Sequence, residues 1–319
     1  MGLSGKLVAE EFPGTVLCTP LPTRCGALDF LVAVPSFERK LPREHCRQED
    51  ERAEQTASHR YDGRSWAESR HAPADTVQLG SSDEADVSDV WLHPTTHEPL
   101  AYSVNYLKTE WVGLTDEAKA DLEFLTSEIS GTLSLVSSTD DLSKMVVHAA
   151  AAEAPGTYYL YDRAARKVSV MFTTRPALAD ADLQPMHPIE IPARDGLTLV
   201  SYLTLPPGSD ADGDGRPERP QALVLNVHGG PWARDYYGYN SWHQWLANRG
   251  YAVLSVNYRG STGFGIAFTR AAIGEFADKM HDDLIDGVQW AVNEGIADPE
   301  RVAIAGGSYG GYATLIGVS

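Results

Sequence analysis

The chain is poor in cysteine, in positive charge and in long apolar runs, and each shortage argues against a class of protein. Its three cysteines, Cys18, Cys25 and Cys46, all fall in the first 46 residues of 319. An odd number without paired short spacings speaks against a disulfide framework or a zinc site, and a reducing, cytoplasmic compartment fits. Lys and Arg number 26 against 44 Asp and Glu, for a formal net charge of −18. Nucleic acid and anionic membrane surfaces both need clustered positive charge, so neither is an expected partner, and the acidity reads as a device for solubility. No apolar run approaches the ~20 residues that a membrane helix needs. Residues 27–34 are apolar but short and interrupted by Asp29, and Glu10 and Glu11 stand where a secretion signal would be apolar. A soluble protein is expected, and 319 residues are enough for two domains with sizeable cores.

Residues 1–75 read as a poorly packed leader. Pro13, Pro20, Pro22, Pro35 and Pro42 break any helix, and the stretch from Arg43 to Arg70 is dense in charge and poor in large apolar side chains. His45, Cys46, His59 and His71 match no metal-ligand spacing. From Val87 the pattern changes to short β-rich runs with turn signals between them. Val87 to His93 and Leu100 to Tyr106 read as a hairpin, and Thr132 to Ser137, Lys144 to Ala149, Thr157 to Tyr161 and Lys167 to Phe172 as two more pairs. Between them Thr115 reads as the N-cap of a helix carrying Ala118, Leu122 and Leu125 on one face. His93, His97 and His148 read as turn or strand residues rather than ligands.

Ile189 to Gly196 and Leu197 to Leu205 read as a further hairpin. Asp210, Asp212, Asp214 and Gly215 then resemble the first half of a calcium loop. Gln221 stands where that loop needs a bidentate glutamate and Pro217 intrudes, so an exposed acidic loop is preferred. Asn240 to Arg249 reads as a helix closed by Gly250, with Trp242, Trp245 and Leu246 facing the core. Asp278 to Asn293 reads as a helix with Leu284, Val288 and Ala291 inward and Asp282, Asp283 and Asp286 on a solvated or N-terminal face. Arg259 lies in a glycine-rich loop at a strand end. It has two readings there, a substrate carboxylate or, preferred, a local acid.

The richest stretch is Gly306-Gly307-Ser308-Tyr309-Gly310-Gly311. It follows the apolar run Arg301 to Ala305, a buried strand, and precedes the start of a helix. Strand, glycine turn with serine at its tip, and helix form the context that a G-x-S-x-G nucleophile elbow requires. Upstream, the apolar strand from Ala222 to Val227 runs straight into His228-Gly229-Gly230-Pro231-Trp232. In an α/β-hydrolase one oxyanion-hole N–H comes from such a loop and the other from the residue after the nucleophile. The candidates are the N–H groups of Gly230 and Tyr309, with Ser308 as the nucleophile.

Taken with Asn257 to Gly265, these motifs resemble the prolyl oligopeptidase family of serine peptidases, in its acylaminoacyl-peptidase and dipeptidyl-peptidase-like branch. The resemblance implies an α/β fold: residues 186–319 as the N-terminal half of an α/β-hydrolase catalytic domain, and residues 76–185 as the last blades of an incomplete β-propeller. It implies short peptides as substrates, screened by the propeller, with no cofactor and no metal. In this fold the acid and the histidine of the triad follow the serine, yet residues 309–319 contain neither. His228, His243 and His281 all precede Ser308. The expectation is therefore a fragment, truncated before the catalytic Asp and His and inactive alone. Two alternatives stay open: an esterase on the same fold, and a non-catalytic binding protein or pseudo-enzyme.

Overall fold

The computed structural model describes residues 79–318. The expectations for residues 1–75, with their cysteines and histidines, lie outside the described residues.

Two antiparallel sheets come first in the chain. Strands β1 (Val87–Leu92), β2 (Pro99–Asn105) and β3 (Thr109–Gly113) lie in that order. The first two form the expected hairpin, closed by the His93 N–H donating to the Glu98 carbonyl at 2.9 Å. β3 was not expected: it is five residues long and sends only Trp111 towards the core, its burial alternating between half-buried and exposed. Strands β4 (Thr132–Ser138), β5 (Lys144–Ala150), β6 (Thr157–Asp162) and β7 (Lys167–Thr173) form a four-stranded meander in sequence order.

Helix α1 (Asp116–Glu128) joins the two sheets. The Thr115 side chain accepts from the Ala118 N–H at 3.1 Å, satisfying one of the donors that a helix start leaves open. Leu122 and Leu125 of α1 pack with Trp91, Leu133, Met145 and Tyr161 in one apolar core. Asp121 is buried on that face, where it accepts from the Tyr161 hydroxyl at 2.9 Å and pairs with Arg163.

The third sheet is mixed. Strands β8 (Met186–Pro192), β9 (Thr198–Thr204), β10 (Gln221–Val227), β11 (Tyr251–Val256) and β12 (Ala297–Gly306) are arranged β12-β10-β11-β9-β8. β10 runs parallel to both β11 and β12, while β8 and β9 are antiparallel additions on the other side. Its apolar residues alternate between two cores. Leu223, Leu225, Val227, Leu254, Val256 and Ile304 enter one, and Val224, Val253 and Ala305 the other. Both faces of the parallel strands are covered, which is why they read as unbroken apolar runs.

Helix α2 (Ser241–Ala247) covers one face with Leu246, helped by Trp242 and Trp245. A short helix α3 (Ile266–Arg270) and the longer α4 (Lys279–Asn293) cover the other, through Phe268, Met280, Leu284 and Ala291. α4 lies so close that a Cβ at Gly287 would stand 2.7 Å from Val256. The last helix, α5 (Tyr309–Gly317), leaves the end of β12. Among the described strands β12 pairs with β10 alone.

One expectation about α4 is corrected. Asp282 does lie towards solvent, its side chain 38% exposed, whereas that of Asp286 is mostly covered; both pair with Arg194. Asp283 is fully buried and accepts from the Arg259 side chain. A buried carboxylate needs a partner of opposite charge, and that partner arrives from a loop 24 residues upstream, which helix periodicity does not reveal. The acidic loop after β9 is organised by Asp210, whose carboxylate accepts from the N–H groups of Gly213, Asp214 and Gly215.

Candidate active site

The site is a consequence of strand register. Parallel pairing sets Val227, the last residue of β10, opposite Gly306, the last of β12. Both chains therefore leave the sheet at the same edge, where open α/β sheets place their sites. A Cβ at Gly306 would lie 2.4 Å from the Val227 carbonyl oxygen, and one at Gly310 would lie 2.1 Å from it. Those two glycines flank Ser308 at the outer positions of G-x-S-x-G. No such constraint acts on Gly307, and at Gly311 the nearest atom is an ordinary 3.5 Å away.

Ser308 itself has φ 54° and ψ −117° and is exposed. A non-glycine residue with positive φ stores backbone strain, and such strain concentrates at functional sites. Directly behind it α5 begins, with the positive end of its dipole towards the serine. The loop leaving β10 crosses over this tip. A Cβ at Gly229 would stand 3.2 Å from the Ser308 Cβ and 3.8 Å from its Oγ. Gly230 follows at φ +128°, packed so tightly that a Cβ would meet the Trp232 nitrogen at 2.7 Å. The chain thus brings the His228-Gly229-Gly230 loop against Gly307 and Ser308. Among the described residues neither the Gly230 nor the Tyr309 N–H donates to a protein acceptor.

The side chains around this tip hold the loops rather than reach for the serine. His228 is stacked on Tyr258 at 4.5 Å, with Nε2 lying 3.0 Å from the Ser261 Oγ. The Tyr258 hydroxyl donates to the His228 carbonyl at 3.0 Å. Burial holds the His228 imidazole below its ordinary pKa. Tyr309 is buried, stacked on Tyr258 at 5.2 Å, edge-on to Phe276 at 5.2 Å and tilted against Tyr312 at 5.7 Å. His243 is wholly enclosed between the hydroxyls of Thr204 and Ser255, each at 2.9 Å, and burial lowers its pKa to about 3. His281 sits on α4 with its Nδ1 buried and without a partner.

Arg259 binds local acids, as the preferred sequence reading has it. It donates to Asp283 at 2.7 and 2.9 Å and to Asp195 at 2.9 and 3.1 Å, and only 4% of it is exposed.

Sequence reasoning passed over Arg234. This side chain sits four residues beyond Gly230, and its contacts lie almost 130 residues upstream, so no local pattern marks it. Two cavities, of about 370 and 550 Å³, open beside it between the antiparallel sheets and the loops of the mixed sheet, and both are lined by Arg234 and Tyr236. The first also has Arg175 and Asp235 in its wall, and the second Asp86 and Asp89. Burial pushes the Asp235 carboxyl up to about 7.

Residues 237–319 match the model of the prolyl oligopeptidase family. The chain is 54% identical over 235 residues to dipeptidyl aminopeptidase BIII of Pseudoxanthomonas mexicana, covering 74% of this chain and 34% of that protein. It is 39% identical over 256 residues to dipeptidyl peptidase family member 6 of Caenorhabditis elegans, covering 76% and 35%. The chain thus spans about a third of the length of these curated relatives. Among solved structures, dipeptidyl peptidase 4 of Porphyromonas gingivalis superposes with a TM-score of 0.56 at 18% identity, over 75% of this chain and 34% of that one. The acylaminoacyl peptidase of Pyrococcus horikoshii gives 0.54 at 18% identity, over 73% and 35%. At that identity the likeness concerns the fold.

Proposed function

The chain belongs to the prolyl oligopeptidase family, and from that premise we propose that Ser308 is the nucleophile of a serine peptidase acting on short peptides. The observation that carries this reading is the strained, exposed Ser308 at φ 54°, with the His228-Gly229-Gly230 loop laid against it. In this reading the Ser308 Oγ attacks the scissile carbonyl carbon and its proton passes to a base. The carbonyl oxygen becomes an oxyanion held by the N–H groups of Gly230 and Tyr309. Collapse breaks the C–N bond and releases the amine, and water then hydrolyses the acyl ester. Fixed N–H donors of this kind supply a large share of catalysis: loss of one costs roughly 10²- to 10³-fold in kcat.

A serine hydroxyl is a weak nucleophile without a base. The engaged states of His228 and His243 give neither ring that role, and residues 309–319 offer no histidine or acid. We therefore assign the proton relay to an Asp and a His outside this stretch, and expect the stretch alone to be inactive. Residues 186–319 are read as part of the catalytic domain and residues 76–185 as propeller blades, the four-stranded meander β4 to β7 being the form one blade takes.

The test is labelling of the full-length native protein with a fluorophosphonate. Modification at Ser308, lost in Ser308→Ala, is expected, together with cleavage of fluorogenic peptide amides. Absence of labelling would favour the non-catalytic reading. Labelling with turnover of esters alone would favour an esterase.

A further inference from the structure

The segment after Gly230 is held by a clamp that the reaction as written does not use. Arg234 lies on the same loop, and only 9% of it is exposed. Its Nη1 donates to the Asn105 carbonyl at 2.7 Å, and its Nη2 to the Tyr106 carbonyl at 3.0 Å and the Asn105 Oδ1 at 3.4 Å. The Nε donates to the carbonyl of Asp235 at 3.3 Å. The guanidinium plane rests on the Phe264 ring at 4.1 Å. A Cβ at Gly263 would stand 2.8 Å from Nη1, so the glycine-rich loop after β11 is shaped around this side chain.

Three features make the contact a clamp rather than a surface pairing. Among the described residues no carboxylate pairs with Arg234, so its buried charge is balanced by carbonyl dipoles at the end of β2 and by the Phe264 face. The balance fails if those carbonyls move. The planar fork reaches two successive carbonyls at once, which a lysine ammonium on its single stem does not reproduce. The backbone around it is tied as well: the Thr262 N–H donates to the Ala233 carbonyl at 2.9 Å, and the Asp235 N–H to the Asn257 Oδ1 at 2.8 Å. From the other side, the Asp86 N–H donates to the Gly263 carbonyl at 2.9 Å, and the Tyr202 hydroxyl to the Leu107 carbonyl at 3.1 Å.

We propose that Arg234 is a positioning residue: by clamping the loop after Gly230 to the Asn105 and Tyr106 carbonyls of the first antiparallel sheet, it holds the Gly230 N–H where the oxyanion forms and makes the hole depend on that sheet's placement. This rests on the reading of Ser308 and Gly230 given above. Arg234 touches no reacting atom in it, so its loss should be felt in the chemical step rather than in binding.

The experiment uses the full-length native protein with Arg234→Lys and Arg234→Ala, and reads kcat and KM on a panel of fluorogenic dipeptide and acyl-amino-acid amides. Wild type should label with fluorophosphonate at Ser308. Arg234→Lys, which keeps the charge, should lower kcat by about 10²-fold, the loss of one hole donor, with KM within about threefold, the pattern of an interaction realised in the transition state. In Arg234→Ala, added guanidinium should restore kcat and added ammonium should not. If the alanine variant does not fold, the lysine variant decides. An undiminished kcat in Arg234→Lys overturns the proposal, as does a rise in KM with kcat unchanged, or a folded alanine variant that guanidinium leaves unrescued. A wild-type protein that neither labels nor cleaves overturns the Ser308 reading and this one with it. Wild-type turnover with a fully active lysine variant overturns this one alone.

Discussion

Replacing Gly310 by alanine tests the register argument for the elbow, because the neighbouring glycine serves as its control. A Cβ at Gly310 would stand 2.1 Å from the Val227 carbonyl oxygen and 3.0 Å from its carbon. Reaching the 3.4 Å of ordinary contact asks for 1.3 Å of movement. The obstacle is backbone, not a side chain that can swing away. Val227 ends β10, which is hydrogen-bonded between β11 and β12, and it is itself 2% exposed. Overpacking against rigid backbone falls at the upper end of the usual range, about 3 kcal/mol, and helix propensity returns at most about 1 kcal/mol for Gly→Ala. A net loss of about 2–3 kcal/mol is expected. At roughly 2–4 °C per kcal/mol for a unit of this size, Tm should fall by about 4–12 °C. Gly311→Ala lies one residue on, in the same helix, and its nearest neighbour is 3.5 Å away. It should hold or raise stability, by up to about 1 kcal/mol. Thermal unfolding of the two variants beside wild type is the assay. A Gly310→Ala protein as stable as wild type, or a Gly311→Ala protein equally damaged, would refute the account of why this turn needs its outer glycines.

Two further predictions concern buried charge. Asp283→Ala should cost about 3 kcal/mol, the lower end of the range for breaking a buried pair, since Asp195 still holds Arg259. Asp282→Ala, which removes the solvent-exposed partner of Arg194, should cost under about 1 kcal/mol; urea midpoints compare them. Asp235 has a folded pKa near 7 against 3.8 for the free carboxyl. The folded state therefore binds the proton more tightly. The stability this contributes is full below about pH 4 and is lost as pH rises through 7. Asp235→Asn should accordingly gain on wild type as pH rises from 4 to 8. A stability difference between the two that stays constant with pH would show that Asp235 is not held protonated.

Much of the fold lay open in the sequence because its signals are local. Alternating or unbroken apolar runs marked the strands, Thr115 the start of α1, and the order of the two glycine motifs the edge of the sheet where the candidate site lies. β3 escaped because it is short and sends only Trp111 to the core, and its place depends on pairing with β2.

The sequence by itself determined that a serine sits in a glycine turn between a strand and a helix, after a His-Gly-Gly-Pro loop. Only the tertiary structure decided which glycines matter: the Val227 carbonyl, 79 residues before Gly306 and 83 before Gly310, singles out those two. It also decided that Asp283 is buried beneath Arg259 and that Arg234 grips the end of β2. These interactions join groups that are distant in the chain, and a buried charge or a missing Cβ acquires its meaning from the atom it meets.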